Sequence, residues 1–194
     1  KYALLSAMRA VNQVISYDLP FVFSALVPVV LAGSLKMSEI ALAQDGLWFV
    51  FYPVIGQLGF IAFIVSTVAA ENRAPFDILE AESELVAGFR VEYSGMKFAL
   101  IQLGEYAHII GASFLGALLF LGAWSGPGPE WLGPIWFLAK AMFIFLLVTW
   151  VRWSFVRIRV DQILALSWKA LLPATLALLL ATAIVVVWRT NGGA

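Results

Sequence analysis

Long apolar stretches alternate along the chain with short polar connections. The apolar stretches run for about 20 positions, the length that an α-helix needs to cross a bilayer. A buried helix of a soluble protein rarely continues so far without polar residues. The pattern predicts five membrane-spanning helices, over residues 14–35, 47–70, 98–124, 132–151 and 163–188. Prolines inside a membrane bundle are tolerated as kinks, and we expect such kinks at Pro20, Pro28, Pro53 and Pro173.

The connection at residues 71–97 is long and acidic, with six carboxylates and three basic residues. A proline followed by Asp77 and Glu80 is typical of a helix start with a capping box. On that helix Asp77, Glu80 and Glu84 would share one face, where like charges cost a few tenths of a kcal/mol per pair. A solvated acidic face is one interpretation. Interleaved apolar residues such as Phe89 favour another, a packed connector whose carboxylates hold protons near neutrality.

Composition agrees with a membrane protein. Charged residues make up 12% of the chain, apolar residues 62%, and the mean hydropathy is +0.94. Net charge is zero, which gives no reason to expect a nucleic-acid partner. The absence of cysteine excludes disulfides and thiolate-held iron–sulfur clusters, and a single histidine, His108, argues against a metal site. We therefore predict one all-α membrane domain over residues 1–194, a polytopic transmembrane helix bundle.

Basic residues predict the orientation of this bundle. With five spans, the N-terminus, the connector and the turn at 152–162 lie on one side of the membrane. Nine of the twelve basic residues belong to that side: Lys1, Arg9, Arg73, Arg90, Lys97, Arg152, Arg157, Arg159 and Lys169. The positive-inside rule places this side in the cytoplasm or its organellar equivalent. Aromatic anchors of the opposite interface are expected at Trp124, Trp131, Trp136 and Trp188.

Two carboxylates fall within predicted spans. Asp18 lies near the cytoplasmic end of the first span, where an interfacial, snorkelling group is a sufficient explanation. Glu105 lies about 12 Å along the axis of the third, and His108 follows on nearly the same face. A carboxylate inside a bilayer is costly unless it is protonated, paired or facing a wet cavity. These residues predict a chain of protonatable groups that enters the membrane from the connector.

The turn "WVRWSFVRIRVDQ", residues 150–162, concentrates positive charge in Arg152, Arg157 and Arg159. Positive-inside anchoring accounts for most of this charge. The alternative is that an arginine pairs with the connector's carboxylates and keeps some of them ionised.

Several of these segments resemble one known family. The motifs are "ENRAPFDILEAESELVAGFRVEYSGMKFAL", then "GEYAHII", with "ISYDLP" upstream and "RIRVDQ" downstream. In this order they resemble membrane subunit 1, also called the H subunit, of NADH–quinone oxidoreductase, respiratory complex I. The resemblance covers essentially the whole chain and implies the C-terminal portion of that subunit, without the family's N-terminal helices.

The resemblance implies a role in coupling quinone reduction to proton translocation. By motif match, the proton path would run through Asp18, Glu80, Glu82, Glu84, Glu92 and Glu105. The quinone chamber would include Asp77, Phe89, Arg152, Arg157 and Arg159. The chain would be a subunit of the enzyme without a redox centre, catalytic residue or metal of its own.

The family also implies partners and a location. Ubiquinone or menaquinone would be the substrate, and NADH, FMN and the iron–sulfur clusters would be bound by partner subunits. Those partners would be the quinone-site subunits of the peripheral arm and the antiporter-like membrane subunits. The chain would lie in the inner (plasma) membrane of a bacterium, or alternatively in an organellar inner membrane, with the connector on the cytoplasmic side.

Three departures from the family pattern stand out. Asp18 occupies a position where the family usually has Glu, and Val156 one where it usually has Pro. The connector motif is one residue shorter before its Asn, which removes the support for a family role of Glu71. The alternatives are the related membrane subunit of an energy-converting hydrogenase or of another donor-specific dehydrogenase, a stand-alone ion transporter, and a structural anchor. A transporter predicts inverted repeats, which the sequence lacks, and an anchor leaves Glu105 unexplained.

Overall fold

The computed structural model describes residues 2–70, 75–76, 93–127, 129–156 and 158–191. Throughout these ranges the regular structure is helical, which confirms the predicted all-α class. In chain order the helices are α1 (Tyr2–Ala32), α2 (Met37–Leu42), α3 (Ile55–Ala70), α4 (Met96–Phe120), α5 (Gly133–Ser154), α6 (Val160–Leu166) and α7 (Leu172–Asn191). We call the end of the bundle where α3 finishes and α5 finishes the connector end, and the other end the distal end.

Four of the predicted spans are confirmed as helices long and apolar enough to cross a membrane. They are Ser6–Ala32, Met96–Phe120, Gly133–Ser154 and Asp161–Thr190. Pro20 and Pro28 both lie inside α1, as predicted. Large apolar side chains such as Leu138 and Leu146 are exposed on the outside of the bundle, where lipid would contact them.

The second predicted span, 47–70, is wrong in its extent. Only α3 is a long helix there, and its 16 residues extend about 24 Å, less than the hydrocarbon core of about 30 Å. Pro53 precedes this helix, and Val54 has a φ of +65°, a left-handed conformation that stops an α-helix. At Gly56 a Cβ would collide with the Phe49 carbonyl oxygen, so this tight entry into α3 requires glycine.

The helices pack into two groups that meet at α3. Helix α1 lies against α3 and α7, while α4 lies against α5 and also contacts α3. Phe63 of α3 is fully buried at the junction, with its ring 5.3 Å from that of Phe21 and 5.4 Å from that of Phe120. At Gly116 a Cβ would lie 2.8 Å from the Phe63 ring and 3.0 Å from Ile144. The small residue is what allows α4 to approach α3 and α5.

The last span is one helix with a local change of winding. Helix α6 continues through a single π-helical turn, Ser167–Leu171, into α7. Pro173 follows that turn and lacks the N–H that an α-helix would direct to the carbonyl four residues earlier. Beyond the turn, Thr175 and Thr182 are buried at two positions of one helix face, and each hydroxyl donates to a carbonyl of the preceding turn.

Two buried polar side chains fix the distal end. Gln44 is fully buried, and its amide nitrogen donates to the carbonyls of Leu118 and Leu119 at 3.1 and 3.2 Å. Lys140 donates to the Leu121 carbonyl at 2.6 Å, to the Ala123 carbonyl at 3.1 Å and also to the Ser125 carbonyl. These carbonyls follow the end of α4, where no intrahelical donor remains. Lys140 therefore acts as a structural cap.

Candidate functional site at the connector end

Phe76 of the connector lies against one face of α1. Gln13, Ser16 and Tyr17 lie three and four positions apart, a spacing that places them on the same side of a helix. All three side chains are at least 98% buried. We call these residues and their partners the α1 joint.

Gln13 ties the connector to both α1 and α3. Its amide nitrogen donates to the carbonyl of Ala69, at the end of α3, at 2.9 Å, and to the carbonyl of Phe76, in the connector, at 3.0 Å. Because Gln13 is 2% exposed, these bonds are shielded from bulk solvent. The Gln13 side chain thus fixes both the end of α3 and Phe76 of the connector relative to α1.

Tyr17 contacts both α6 and the connector. Its hydroxyl donates to the Ile163 carbonyl of α6 at 2.9 Å, and its ring lies 5.4 Å from that of Phe76. The backbone N–H of Ile158 in turn donates to the Pro75 carbonyl at 3.1 Å. The start of the connector is therefore bound to the turn that leads into α6.

A third set of bonds joins α1 to the π-helical turn. The Ser167 hydroxyl donates to the Ser16 carbonyl, and the Trp168 indole N–H donates to the Ser16 hydroxyl at 3.1 Å. Ser16 also donates to the Asn12 carbonyl at 2.6 Å. The wider π turn thus directs the Ser167 hydroxyl and the Trp168 indole N–H to α1 together.

Two polar atoms near this joint have no protein partner among the described residues. They are Oε1 of Gln13 and the hydroxyl oxygen of Ser66, both buried. An unsatisfied buried acceptor is costly, and such atoms are usually paired with ordered water. The facing helices α1 and α3 thus each present a group that can bind water.

Glu105 is half-buried in α4, nine residues after the helix begins at Met96. Its neighbour Tyr106 lines a cavity with Arg152 and Trp153, in the last turn of α5. Glu105 therefore lies in the part of α4 that is level with the connector end of α5. His108, one turn further along α4, is exposed.

The cavity lined by Tyr106 has a volume of about 220 Å³ and lies where α3, α4 and α5 meet. Val68 closes it from α3, Tyr106 from α4, and Thr149 and Arg152 from α5. Arg152 is half-buried, whereas Arg159, at the start of α6, is exposed. Arg152 and Arg159, which the family resemblance assigns to the same chamber, therefore occupy different environments.

Asp18 is exposed on α1, directly after the buried Tyr17. The α1 joint does not include it. The remaining predicted site residues lie outside the described residues: Asp77, Glu80, Glu82, Glu84, Phe89, Glu92 and Arg157. In the part of the chain that is described, no three His, Cys, Asp or Glu side chains gather as a metal site requires.

Gln13 is the residue that sequence reasoning missed. It directly precedes the first predicted span, and a single glutamine there reads as an interfacial polar residue. Its signal was the spacing with Ser16 and Tyr17 on one helix face. Sequence reasoning also did not single out Lys140, although a lysine in an apolar run implies buried acceptors.

Comparison with known proteins gives consistent matches. The family described as NADH dehydrogenase matches residues 1–183. The chain is 48% identical over 184 residues to the NADH-quinone oxidoreductase H subunit of Dehalococcoides mccartyi, covering 94% of this chain and 50% of that protein. The H subunit of Geobacillus kaustophilus is 45% identical over 190 residues, covering 97% and 56%. That of Carboxydothermus hydrogenoformans is 43% identical over 182 residues, covering 91% and 50%. The chain spans about half the length of the curated relatives it matches.

Proposed function

The chain belongs to the NADH dehydrogenase family, and from this premise we propose that it is a membrane subunit of a proton-translocating NADH–quinone oxidoreductase. In that complex it forms part of the quinone chamber and of the carboxylate path that couples quinone reduction to proton translocation. The relatives are named as the H subunit of NADH-quinone oxidoreductase, which favours this proposal over a hydrogenase or transporter subunit.

The observation that carries the proposal is the α1 joint. Coupling requires that a conformational change at the connector be transmitted to the membrane helices through rigid contacts. Gln13 and Tyr17 hold the connector's Phe76 against α1 through an amide hydrogen bond of 3.0 Å and a ring contact. The Tyr17 hydroxyl bonds α6 at the same level. A displacement of the connector would therefore be transmitted directly to both α1 and α6.

The carboxylates supply the electrostatic part of the coupling. A unit charge about 4 Å from a carboxylate changes its free energy of ionisation by about 4 kcal/mol at an effective dielectric of 20, or about three pKa units. Closely spaced acids can therefore pass a change in charge along a chain. We assign this chain to Glu80, Glu82, Glu84 and Glu92 in the connector, continued by Asp18 and Glu105 at the membrane.

The chamber itself would be built by the connector and by the turn before α6. Asp77 and Phe89 contribute from the connector, Arg157 and Arg159 from the turn, with Arg152 at the membrane-side edge. Quinone, as ubiquinone or menaquinone, is the substrate. NADH, FMN and the iron–sulfur clusters belong to partner subunits of the peripheral arm, and antiporter-like subunits continue the path in the membrane. The connector end faces the cytoplasm of a bacterium.

The experiment that tests this function replaces Glu105 by glutamine in the assembled complex. Quinone-dependent NADH oxidation and proton pumping are followed in the same membrane vesicles. The matched control is Glu39→Gln, because Glu39 is an exposed carboxylate of α2 at the distal end. Removal of a protonatable group from the path should reduce both activities more than tenfold in Glu105→Gln and leave both unchanged in Glu39→Gln.

Assembly is checked by the amount of complex recovered from the membrane. Full oxidation and full pumping in an assembled Glu105→Gln complex would remove Glu105 from the path. Oxidation without pumping would place it after the quinone step, and would retain the coupling role.

A further inference from the structure

The distal end of the bundle contains a buried cation that the proposed coupling path does not use. Lys140 is 6% exposed and lies seven residues after the start of α5 at Gly133, about 10 Å along the helix axis. Trp124 and Trp131, which precede that start in the chain, are 43% and 74% exposed, as is typical of the headgroup level of a bilayer. The backbone of Lys140 therefore lies inside the membrane, about two helical turns from the distal interface.

Three carbonyl oxygens hold the Lys140 ammonium, and we call them the carbonyl cage. Nζ donates to the carbonyl of Leu121 at 2.6 Å, to that of Ala123 at 3.1 Å and also to that of Ser125. A lysine ammonium has three N–H donors and no acceptor, so every donor is used on a neutral group. A neutral amine would have one donor fewer and would turn its lone pair toward the third carbonyl. The cage therefore selects the charged form.

The backbone that follows α4 is folded to form this cage. Gly122 and Ala123 have φ of +70° and +41°, and the N–H of Ala123 donates back to the Ala117 carbonyl at 3.1 Å. A positive φ is unfavourable for a residue with a Cβ, and such residues concentrate at functional sites. The Trp48 ring closes another side of the site, with its centroid 4.3 Å from Nζ of Lys140, a distance at which its π face attracts a cation.

The neighbouring polar groups of the distal end are fully paired. The Gln44 amide donates to the carbonyls of Leu118 and Leu119 and accepts the backbone N–H of Phe49 at 3.3 Å. The two buried polar atoms without a partner in the described ranges lie near the α1 joint, toward the other end of the bundle. Groups that can recruit water thus lie toward the connector, whereas the distal end is closed by paired groups around a fixed positive charge.

We propose that Lys140 is a proton barrier: its tethered ammonium occupies a site that would otherwise hold a hydronium ion, and so closes the distal face of this chain to protons. A hydronium ion has a pyramidal set of O–H donors like that of an ammonium group, and rings of carbonyl oxygens bind small cations in place of water. Unlike a hydronium ion, the ammonium of Lys140 cannot leave the cage. A fixed positive charge also repels an approaching proton, as in pores that exclude protons.

The barrier would give the carboxylate path a direction. A proton that reaches the membrane near Glu105 meets a like charge toward the distal end, so it leaves the chain sideways, to a neighbouring membrane subunit. This role rests on the proposed function only for the entry of protons at the connector. The test therefore uses neither NADH nor quinone, and its result does not depend on the outcome for Glu105→Gln.

The test measures the passive proton leak of the assembled complex in liposomes. A potassium diffusion potential, set with valinomycin, draws protons inward, and an enclosed pH-sensitive dye reports their entry. Lys140→Gln removes the charge but keeps an amide that can donate to the cage, and Lys140→Arg keeps the charge. The matched control is Gln44→Leu, which removes buried hydrogen bonds at the same end without a change of charge.

We expect the leak per complex, above that of protein-free liposomes, to rise about 30-fold in Lys140→Gln. This factor corresponds to about 2 kcal/mol, the repulsion between unit charges about 8 Å apart at an effective dielectric of 20. Lys140→Arg and Gln44→Leu should both leak as little as the wild type.

A wild-type leak in an assembled Lys140→Gln complex would overturn the proposal. So would an equal leak in Gln44→Leu, because the distal end would then be closed by packing and not by charge. If Lys140→Gln does not assemble, the ordered water in a high-resolution map of the wild-type complex decides the question. The barrier requires that no chain of water pass Lys140, and a continuous chain from the bundle interior past Nζ to the distal surface would refute it.

Discussion

Replacing Gln13 by leucine tests the α1 joint directly. Leucine has nearly the same size, so the change opens little space, but it removes the donor shared by the Ala69 and Phe76 carbonyls. Each buried carbonyl left without a donor costs about 1–3 kcal/mol. Loss of the unpaired Oε1 offsets part of this cost. We expect the connector's attachment to weaken by about 2 kcal/mol, or about 30-fold in its opening equilibrium.

The structure provides a reporter for this opening. The backbone N–H of Ile158 is bonded to the Pro75 carbonyl, next to Phe76. When the connector start separates from α1, that N–H becomes free to exchange with solvent deuterium. Hydrogen exchange of the peptide containing Ile158, in the assembled complex, should therefore be about 30-fold faster in Gln13→Leu. Asn12→Leu is the matched control, because Asn12 is exposed on the same helix.

Two outcomes would refute the reasoning. Wild-type exchange at Ile158 in an assembled Gln13→Leu complex would show that the Gln13 amide does not hold the connector. Equal acceleration by Asn12→Leu would show that any leucine at this end of α1 disturbs the helix, and that the hydrogen bonds are not the cause.

Three further sites in the bundle are tested by substitution. Tyr17→Phe removes the hydroxyl donated to Ile163 and should lower the complex's melting temperature modestly, by the loss of about 1 kcal/mol; an unchanged melting temperature would contradict the bond. Lys140→Met leaves the three capped carbonyls without their donor and should cost about 3 kcal/mol or more, measured as loss of thermal stability of the solubilised complex. Gly116→Val inserts carbon atoms against the Phe63 ring and should destabilise by about 1–3 kcal/mol, whereas Gly111→Val on the open side of α4, measured in the same way, should have a smaller effect.

The spans that are well predicted are those whose apolar length alone decides the structure. A helix such as Gly133–Ser154 satisfies its own backbone in lipid, so about twenty apolar residues suffice to identify it. The stretch 47–70 has the same composition, but Pro53 and the left-handed Val54 delay the start of the helix until Ile55. Apolar content cannot indicate this break, because it depends on backbone conformation and on the close approach of Gly56 to Phe49.

The site was predicted less completely, for a different reason. Charged residues such as Glu105 and Arg152 are conspicuous in an apolar sequence, and both do lie near the connector end. The levels at which α4 and α5 face each other depend on their relative register, which no local pattern encodes. Gln13 was missed because its partners are backbone carbonyls 56 and 63 residues away. Every residue has a backbone carbonyl, so the sequence does not indicate which ones a side chain binds.

The π-helical turn Ser167–Leu171 has a consequence for chain length. A π turn contains one residue more than the corresponding α turn, yet it leaves the helix on either side facing the same way. Deleting one residue from this turn should thus yield a plain α-helix in which Thr175 and Thr182 still face inward. Removing a residue from α7 itself would rotate everything after the deletion by about 100° and turn Thr182 from its buried position toward lipid. The last span therefore has one place where a deletion is tolerated, beside the joint with α1.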